Sequence, residues 1–368
     1  MEVKFLDLKK QYSLLKSEID SAVQAVFAEA DFIKGAEVKK FEADFAAYCG
    51  ASHCISCGNG TDALSALIKV HDFPCGSEVI LPANTFVATA EAVVSNGLKP
   101  VFADIKEDFT ISSESVESLI NQNTCAIIAV HLYGHPADMD ALKKIAGKHG
   151  LKLFEDAAQA HGAAYRGRKV GTLADGAGFS FYPGKVLGAA GDAGAVMLND
   201  DKLAEKARKF CNHGRSQKYF HEFAGVNSRM DTIQAAVLNV KLKHLDEWVE
   251  ARNAVAKSYI EQLSGVKEIV LPEIHPETTD AWHLFVIKTE KRDNLREYLK
   301  NCGIETGIHY PLSLPEQPVF AGHLGYCRDY RAVRESKTLL SLPIGEHLSV
   351  EEVAFVSEKI KEFFTKNI

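Results

Sequence analysis

Gly178-Phe-Ser-Phe-Tyr-Pro-Gly-Lys185 decides the reading of this chain, because it sets a lysine just past the end of an apolar strand. The lysine is followed by Gly188-Ala-Ala-Gly-Asp-Ala-Gly194, a stretch with almost no side chain. A lysine held against close backbone can form a Schiff base with a flat carbonyl compound. Burial would lower its pKa enough to make it a nucleophile. A solvated surface lysine after a strand is the plain alternative, and the partners upstream decide between the two.

Asp156 is the first partner, in Leu151-Lys-Leu-Phe-Glu-Asp-Ala-Ala-Gln159. Leu151, Leu153 and Phe154 read as a short buried strand that ends in Glu155 and Asp156. Ligands of open α/β sheets bind at that edge. A carboxylate there can keep a pyridinium nitrogen protonated and make pyridoxal phosphate (PLP) an electron sink; an Asp capping a following helix is the ordinary alternative. A second partner is Cys57-Gly-Asn-Gly-Thr-Asp-Ala63, between strand-like His53–Ser56 and helix-like Ala63–Ile68. Small residues that open a helix offer free N–H groups and the positive dipole end to a phosphate, and the Thr61 hydroxyl adds a donor. This segment is neither GxGxxG nor a P-loop, so a dinucleotide or nucleoside-triphosphate fold is poorly supported. Phe86, in Pro82-Ala-Asn-Thr-Phe-Val-Ala-Thr89, follows a strand and can stack on a cofactor ring or fill the core.

Outward from these motifs, strands and helices alternate between Cys49 and Asp200. The expected strands are His53–Ser56, Glu78–Leu81, Pro100–Ala103, Ala126–His131, Leu151–Glu155, Gly178–Tyr182 and Ala193–Leu198. Seven strands with helical crossovers predict an α/β fold with a doubly wound, mainly parallel sheet. Leu14, Leu15, Ile19, Val23, Val26 and Phe27 recur at helical spacing before it. A long helix from about Thr232 to Leu263 leaves it. Beyond lies a smaller α/β unit with strands Trp282–Lys288 and Glu305–His309 and helices Asn294–Asn301 and Val350–Phe364. The expected division is 1–240, an N-terminal helix and large PLP-binding domain, and 241–368, the connecting helix and small C-terminal domain.

At 368 residues, 46% apolar and 25% charged, the chain has the composition of a soluble globular protein with ample core. A net charge of −7 with no Lys/Arg block argues against nucleic-acid binding. The start has no signal-like apolar core and no long apolar span follows, so a cytoplasmic protein without membrane association is expected. Eight cysteines in largely apolar surroundings read as reduced thiols. Cys54-Ile-Ser-Cys57 matches C-x-x-C, but no second pair follows at zinc-site spacing and Cys54 sits in a strand-like run, so no metal is expected.

In order, the chain offers a phosphate cup, a stacking aromatic, a strand-end Asp-x-x-Gln and a strand-end lysine. That order resembles the fold-type I PLP enzymes, and more narrowly the DegT/StrS family of nucleotide-sugar aminotransferases. The matching text comprises Phe5-Leu-Asp-Leu, Asn59-Gly-Thr-Asp-Ala-Leu64, Asn84-Thr-Phe86, Glu155-Asp-Ala-Ala-Gln159 and Ser180-Phe-Tyr-Pro-Gly-Lys185. It continues through Gly191-Asp-Ala-Gly194, Asn227-Ser-Arg-Met-Asp231 and His309-Tyr-Pro311, in register to the C-terminus. The resemblance implies a catalytic Lys185 that carries the Schiff base and shuttles a proton, and Asp156 as partner of the pyridine nitrogen. Gln159 would bond the cofactor's phenolic oxygen, and Gly60, Thr61 and Ser180 its phosphate. Asn227 and Arg229 would reach a neighbouring subunit's site, with Arg229 pairing with Asp231 as the alternative. Tyr182, His309 and Tyr310 would line the sugar's entrance or merely pack. Val186, where many relatives carry a polar residue, removes one contact beside the lysine and leaves the covalent chemistry intact.

The implied activity is ping-pong transfer of an amino group from L-glutamate to a keto group, at C-3 rather than C-4, of a nucleotide-linked sugar, in a homodimer with shared active sites. The sugar would be a UDP-3-keto-GlcNAc or glucuronate type or a dTDP-3-keto-6-deoxyhexose, destined for surface polysaccharide or glycoside biosynthesis. A PLP-dependent dehydratase is disfavoured because such relatives replace the lysine by histidine. A PLP-binding regulator would need an output module, and a nicotinamide dehydrogenase a GxGxxG.

Overall fold

The computed structural model describes residues 1–366. All seven strands read from the large region form one sheet: β1 (His53–Cys57), β2 (Glu78–Pro82), β3 (Lys99–Ala103), β4 (Thr124–Val130), β5 (Lys152–Asp156), β6 (Gly176–Ser180) and β7 (Gly194–Leu198). Their order is β1-β7-β6-β5-β4-β2-β3. The five strands from β6 to β3 are parallel, and β7 runs antiparallel to both β6 and β1. The parallel strands are buried on both faces along most of their length, which is why their centres read as short apolar runs rather than alternating ones. Helices α1 (Leu8–Glu29), α2 (Ala36–Cys49), α3 (Gly60–Lys69), α4 (Ala88–Ser95), α5 (Ser113–Leu119), α6 (Met139–His149) and α7 (Asp201–Phe210) accompany the sheet.

Alternation along β6 assigns its two faces. Ala177 and Phe179 point to the α2 side, where Phe179 meets Phe45 edge-on at 5.0 Å, and beyond the strand Phe181 meets Phe41 at 5.2 Å. Gly176 and Gly178 point to α3. A Cβ at Gly176 would come within 2.5 Å of Leu67, and one at Gly178 within 2.8 Å of Leu64. The two glycines therefore let α3 lie close against the strand, and Ser180, next in the same row, meets the first residue of that helix. Cys54 and Cys57, three residues apart in β1, fall into separate cores on opposite faces of the sheet, so they cannot share one ion. All eight cysteines are free thiols.

The expected long helix is two, α8 (Thr232–Leu242) and α9 (Leu245–Leu263). The break falls where the His244 N–H closes on the Lys241 carbonyl at 3.0 Å, an i→i−3 bond that ends the helical ladder. The expected 240/241 boundary lies inside α8. Along α1, Leu15, Ile19 and Val26 are buried, the first two against Val237, Val240 and Trp248, and Val23 packs beside them. Leu14 and Phe27 do not join that face and are 73% and 60% exposed.

In the C-terminal third, β8 (Phe285–Lys288) pairs antiparallel with β9 (Leu339–Leu342), and α10 (Arg292–Asn301), α11 (Val350–Thr365) and α9 close a separate apolar cluster around them. The expected strand Trp282–Lys288 begins only at Phe285, since Trp282 has a positive φ of 44°. The expected strand Glu305–His309 is not one. Only Gly307 bridges to Ser341, and the partner of β8 is the Leu339–Leu342 segment. No helix among the described residues is long and apolar enough to cross a membrane.

Candidate active site

The carboxyl edge of the parallel strands collects most of the residues singled out from sequence. Asp156 ends β5 opposite Gly178 of β6. It is 5% exposed, and no helix follows it. The chain turns instead, with Ala158 N–H donating to Oδ1 at 3.2 Å. Oδ2 accepts from Thr89 Oγ1 at 2.7 Å, and Thr89 is in turn 2.9 Å from Thr85 Oγ1. Because Thr89 gives its hydrogen to the carboxylate, Thr85 must donate to Thr89, which orients the relay. Burial raises the pKa of Asp156, against the pull of Thr89, Ala158 and the Lys185 ammonium.

Glu155, one residue earlier, points the other way. It is fully buried and bonded to His131 Nε2 at 3.0 Å, Gly171 N at 2.8 Å and Leu173 N at 2.7 Å. Ala137 N–H donates to His131 Nδ1 at 3.0 Å, so the imidazole carries its proton on Nε2 and donates it to Glu155. This carboxylate is saturated and serves the fold.

Lys185 follows β6 on a tight loop. Its N–H closes on the Tyr182 carbonyl at 2.8 Å, and Ala189 N–H returns to the Phe181 carbonyl at 2.8 Å. The amine has no hydrogen-bond partner among the described residues. Burial lowers its pKa to about 8, with Asp156 pulling it partly back. Three imidazoles near this amine, His161, His283 and His309, have lowered pKa values for the same two reasons, burial first and the Lys185 charge second. His309 falls to about 4 and His161 to about 3, so both are neutral near pH 7. The site therefore carries one titrating amine against one carboxylate.

Below the lysine, α3 opens at Gly60 with Asn59 as its cap, whose side chain accepts from Asp62 N at 2.8 Å. The N–H groups of Gly60 and Thr61 lie in the first turn and have no acceptor within the helix. A Cβ at Gly60 would sit 2.6 Å from Ser180 Cβ. The two segments thus form a cup of backbone N–H groups and two hydroxyls, which fits a phosphate. Together with the unpartnered amine and the buried carboxylate, it fits the three polar ends of PLP.

Gln159 is 5% exposed and doubly engaged: Oε1 accepts from Tyr133 N at 2.6 Å and Nε2 donates to Tyr310 OH at 3.0 Å. The Tyr133 hydroxyl donates to the His309 carbonyl, so Gln159, Tyr133 and the His309-Tyr310 segment form one hydrogen-bonded wall. His309 Nδ1 lies 2.8 Å from Ser341 Oγ, and its ring stacks on Phe5 at 5.7 Å. Phe86 is 5.8 Å from the Tyr310 ring and 53% exposed, and Tyr182 is 58% exposed. Such solvent-facing aromatics beside a polar cleft are available for contact. Tyr133, Thr85 and Thr89 were not anticipated. Thr85 and Thr89 stand in the quoted Pro82–Thr89 segment, but nothing in their spacing points to Asp156.

Asn227 and Arg229 are not brought to Lys185. Ser228 between them is buried, accepting from Gly58 N at 2.9 Å and donating to Asp62 Oδ2 at 2.6 Å. This pins the segment behind the phosphate cup. Arg229 lines a depression with Lys34, Glu42, Arg208 and Asn212. The Asn212 amide is satisfied when its oxygen accepts from Arg215 Nε at 2.9 Å and Nη2 at 3.2 Å. Arg229 then has no acceptor among the described residues, and the alternative pair with Asp231 does not form.

One side-chain group has metal-ligand character among the described residues: Asp108, His135 and His275, with ligand atoms within 4.8 Å of one another. Asp108 is already bound by Lys106 Nζ at 2.8 Å and by Thr110, and His135 Nδ1 by Asp280 at 2.8 Å. Asp108 and His135 thus belong to a polar network at the wall of a cavity of about 350 Å³, and His275 Nε2 beside them has no hydrogen-bond partner among the described residues.

Known proteins resemble this chain over nearly its whole length. The chain is 47% identical to "Erythromycin biosynthesis sensory transduction protein EryC1" of Saccharopolyspora erythraea, over 98% of this chain and 99% of that one. It is 45% identical to a dTDP-3-amino-3,4,6-trideoxy-alpha-D-glucose transaminase of Streptomyces venezuelae, over 98% and 96%. The crystal structure of S. venezuelae DesV in complex with a ketimine intermediate superposes with a TM-score of 0.96 at 44% identity, covering 98% of each chain. Residues 13–361 match the family model, and with likeness at this level over nearly the whole length the chain belongs to the DegT/DnrJ/EryC1/StrS aminotransferase family.

Proposed function

We propose that this aminotransferase uses PLP to move the amino group of L-glutamate onto the C-3 keto group of a nucleotide-linked sugar. The observation that carries the reading is the unpartnered, pKa-lowered amine of Lys185 facing the buried carboxylate of Asp156 above the Gly60–Ser180 cup. PLP, when bound, supplies an electron sink for charge developing at the amine-bearing carbon. The remaining work belongs to the chain. Gly60, Thr61 and Ser180 would hold the phosphate, and Phe86 would offer its ring to the cofactor's. Asp156 would keep the pyridine nitrogen protonated, and Gln159 would offer its remaining N–H to the phenolic oxygen. Lys185 would bind the cofactor through its amine and, with that amine free, would move the proton. In this reading residues 1–240 bind the cofactor, and residues 241–368 supply His309 and Tyr310 to the sugar side, opposite Tyr182.

Asn227 and Arg229 act in a second copy of the chain. They lie apart from a cofactor site one chain already supplies. The exposed apolar residues Leu14, Phe27, Phe32 and Ile33 offer a surface for that copy. Arg229 shares its surroundings with Lys34, Arg208 and Arg215, a basic group suited to a sugar carboxylate or a diphosphate. Mixing a Lys185→Ala chain with an Arg229→Ala chain is expected to restore part of the activity, because one of the two composite sites in the mixed dimer keeps both residues. Verified heterodimers with no activity would place Arg229 in its own chain's site.

One feature supports C-3: the transaminase of S. venezuelae carries its product's amine there by name. The product of a keto-sugar panel with glutamate is expected to show an amine-bearing C-3 by NMR. An amine at C-4 beside a hydroxylated C-3 would overturn the position and leave the enzyme class standing. The sensory name of the S. erythraea relative makes a regulator the second reading. Bleaching of a yellow protein by glutamate separates the two, since a regulator has no need to turn over.

A further inference from the structure

Lys241, on α8, is 6% exposed, and its ammonium has one hydrogen-bond partner among the described residues, the Gly188 carbonyl at 2.8 Å. Removing a charged amine from water costs far more than burying an apolar side chain of the same length. The neighbouring carboxylate whose charge it feels, Glu346, is already taken by Arg252 Nη2 at 3.0 Å and Gln11 Nε2 at 2.7 Å. Packing alone is therefore a poor reason for a lysine here, and what it touches is the loop that carries Lys185.

That loop is closed on itself. A Cβ at Gly188 would lie 2.3 Å from the Pro183 carbonyl oxygen, so the exit of the loop runs directly over its entry. Val186 and Leu187 are buried as anchors. A second side chain of α8, Gln234, accepts from Ala190 N at 2.8 Å. Gly191 passes so near it that a Cβ there would come 3.0 Å from its amide nitrogen. The same helix thus grips the loop twice, once through a carbonyl and once through an N–H.

We propose that Lys241 and Gln234 tether the Lys185 loop to α8, and that Lys241 is a positioning residue setting where the Lys185 amine enters the site. The proposal rests on the reading of Lys185 given above. Its physical basis is that small displacements of a reacting group are costly: an error of about 1 Å can cost roughly a hundredfold in rate.

The test begins on the cofactor-free protein, with hydrogen–deuterium exchange of Lys241→Met against wild type. Amides from Val186 to Gly191 are expected to exchange on the order of tenfold faster, the factor expected for loss of one charge-assisted hydrogen bond, with the sheet strands unchanged. In the loaded enzyme kcat is expected to fall roughly ten- to hundredfold with KM little moved, since ground-state binding is untouched. Lys241→Arg, which restores a donor, should recover part of the loss. If Lys241→Met does not fold, Gln234→Ala at its half-buried position tests the same tether by the same exchange. Unchanged loop exchange in a folded variant, or loosening spread evenly over the protein, overturns the proposal. A wild-type protein that binds no PLP overturns the reading of Lys185 instead, while the exchange result still decides the tether.

Discussion

Lys185→Ala is expected to lose the visible absorbance of the PLP-loaded protein and to lower turnover with glutamate by on the order of a thousandfold or more, the range in which a positioned acid–base group contributes. The fold should survive, because the amine has no hydrogen-bond partner whose loss would unsettle the core. A pH dependence accompanies it. Burial brings this amine from the ordinary 10.5 down to about 8. The neutral, nucleophilic form therefore accumulates as pH rises through about 8, where an exposed lysine would still be charged. The rate at which cofactor-free protein captures PLP covalently, read by absorbance and by mass after borohydride reduction, should climb through that window and level off above it. Full turnover by a purified Lys185→Ala protein would sink the assignment.

Asp156→Asn carries the second large effect. The substitution is isosteric and can keep an acceptor for Thr89, but it removes the charge that holds the pyridine nitrogen protonated. The rate is expected to fall roughly two or more decades, as for other positioned electrostatic groups. Stability should move the other way or not at all. The buried carboxylate has a raised pKa because burial outweighs its four stabilising neighbours. A neutral amide escapes that cost. The cofactor-free Asp156→Asn protein should thus melt no lower than wild type while its activity collapses. A rate within a few-fold of wild type, together with a lowered melting temperature, would make Asp156 a structural residue only.

Much of this site was legible along the chain because its parts are local. A strand buried on both faces is a run of apolar residues whatever its partners, so β1 to β7 each announced themselves. Gly178, Ser180 and Lys185 share one segment, and Asp156 follows its strand directly. Glu155 and Asp156 were equally acidic neighbours in sequence. Alternation put one against His131 and the other against Thr89, and which face would hold the cleft depended on where α3 and α4 packed.

The C-terminal third was read less well for the same kind of reason. Leu339–Leu342 became the partner of β8, while Glu305–His309 made only one bridge. Strand pairing joins residues 51 (Lys288 and Leu339) to 57 (Phe285 and Leu342) positions apart, and neither segment carries a local sign of its partner. A 32-residue apolar pattern likewise read as one helix until the His244 N–H closed on Lys241.

Sequence by itself determined the seven strands of the large sheet, its mainly parallel character and the order in which cup, aromatic, acid and lysine appear, because hydrophobic periodicity, turn chemistry and motif spacing are properties of short segments. Tertiary structure alone decided what meets at the carboxyl edge: Thr85 and Thr89 on Asp156, Tyr133 linking Gln159 to the His309 carbonyl, Lys241 on the Lys185 loop, and Arg229 left outside. Each of those contacts joins residues brought together only when helices settle on a common sheet, and the pKa of a lysine falls to about 8 only after the surrounding chain has taken it out of water.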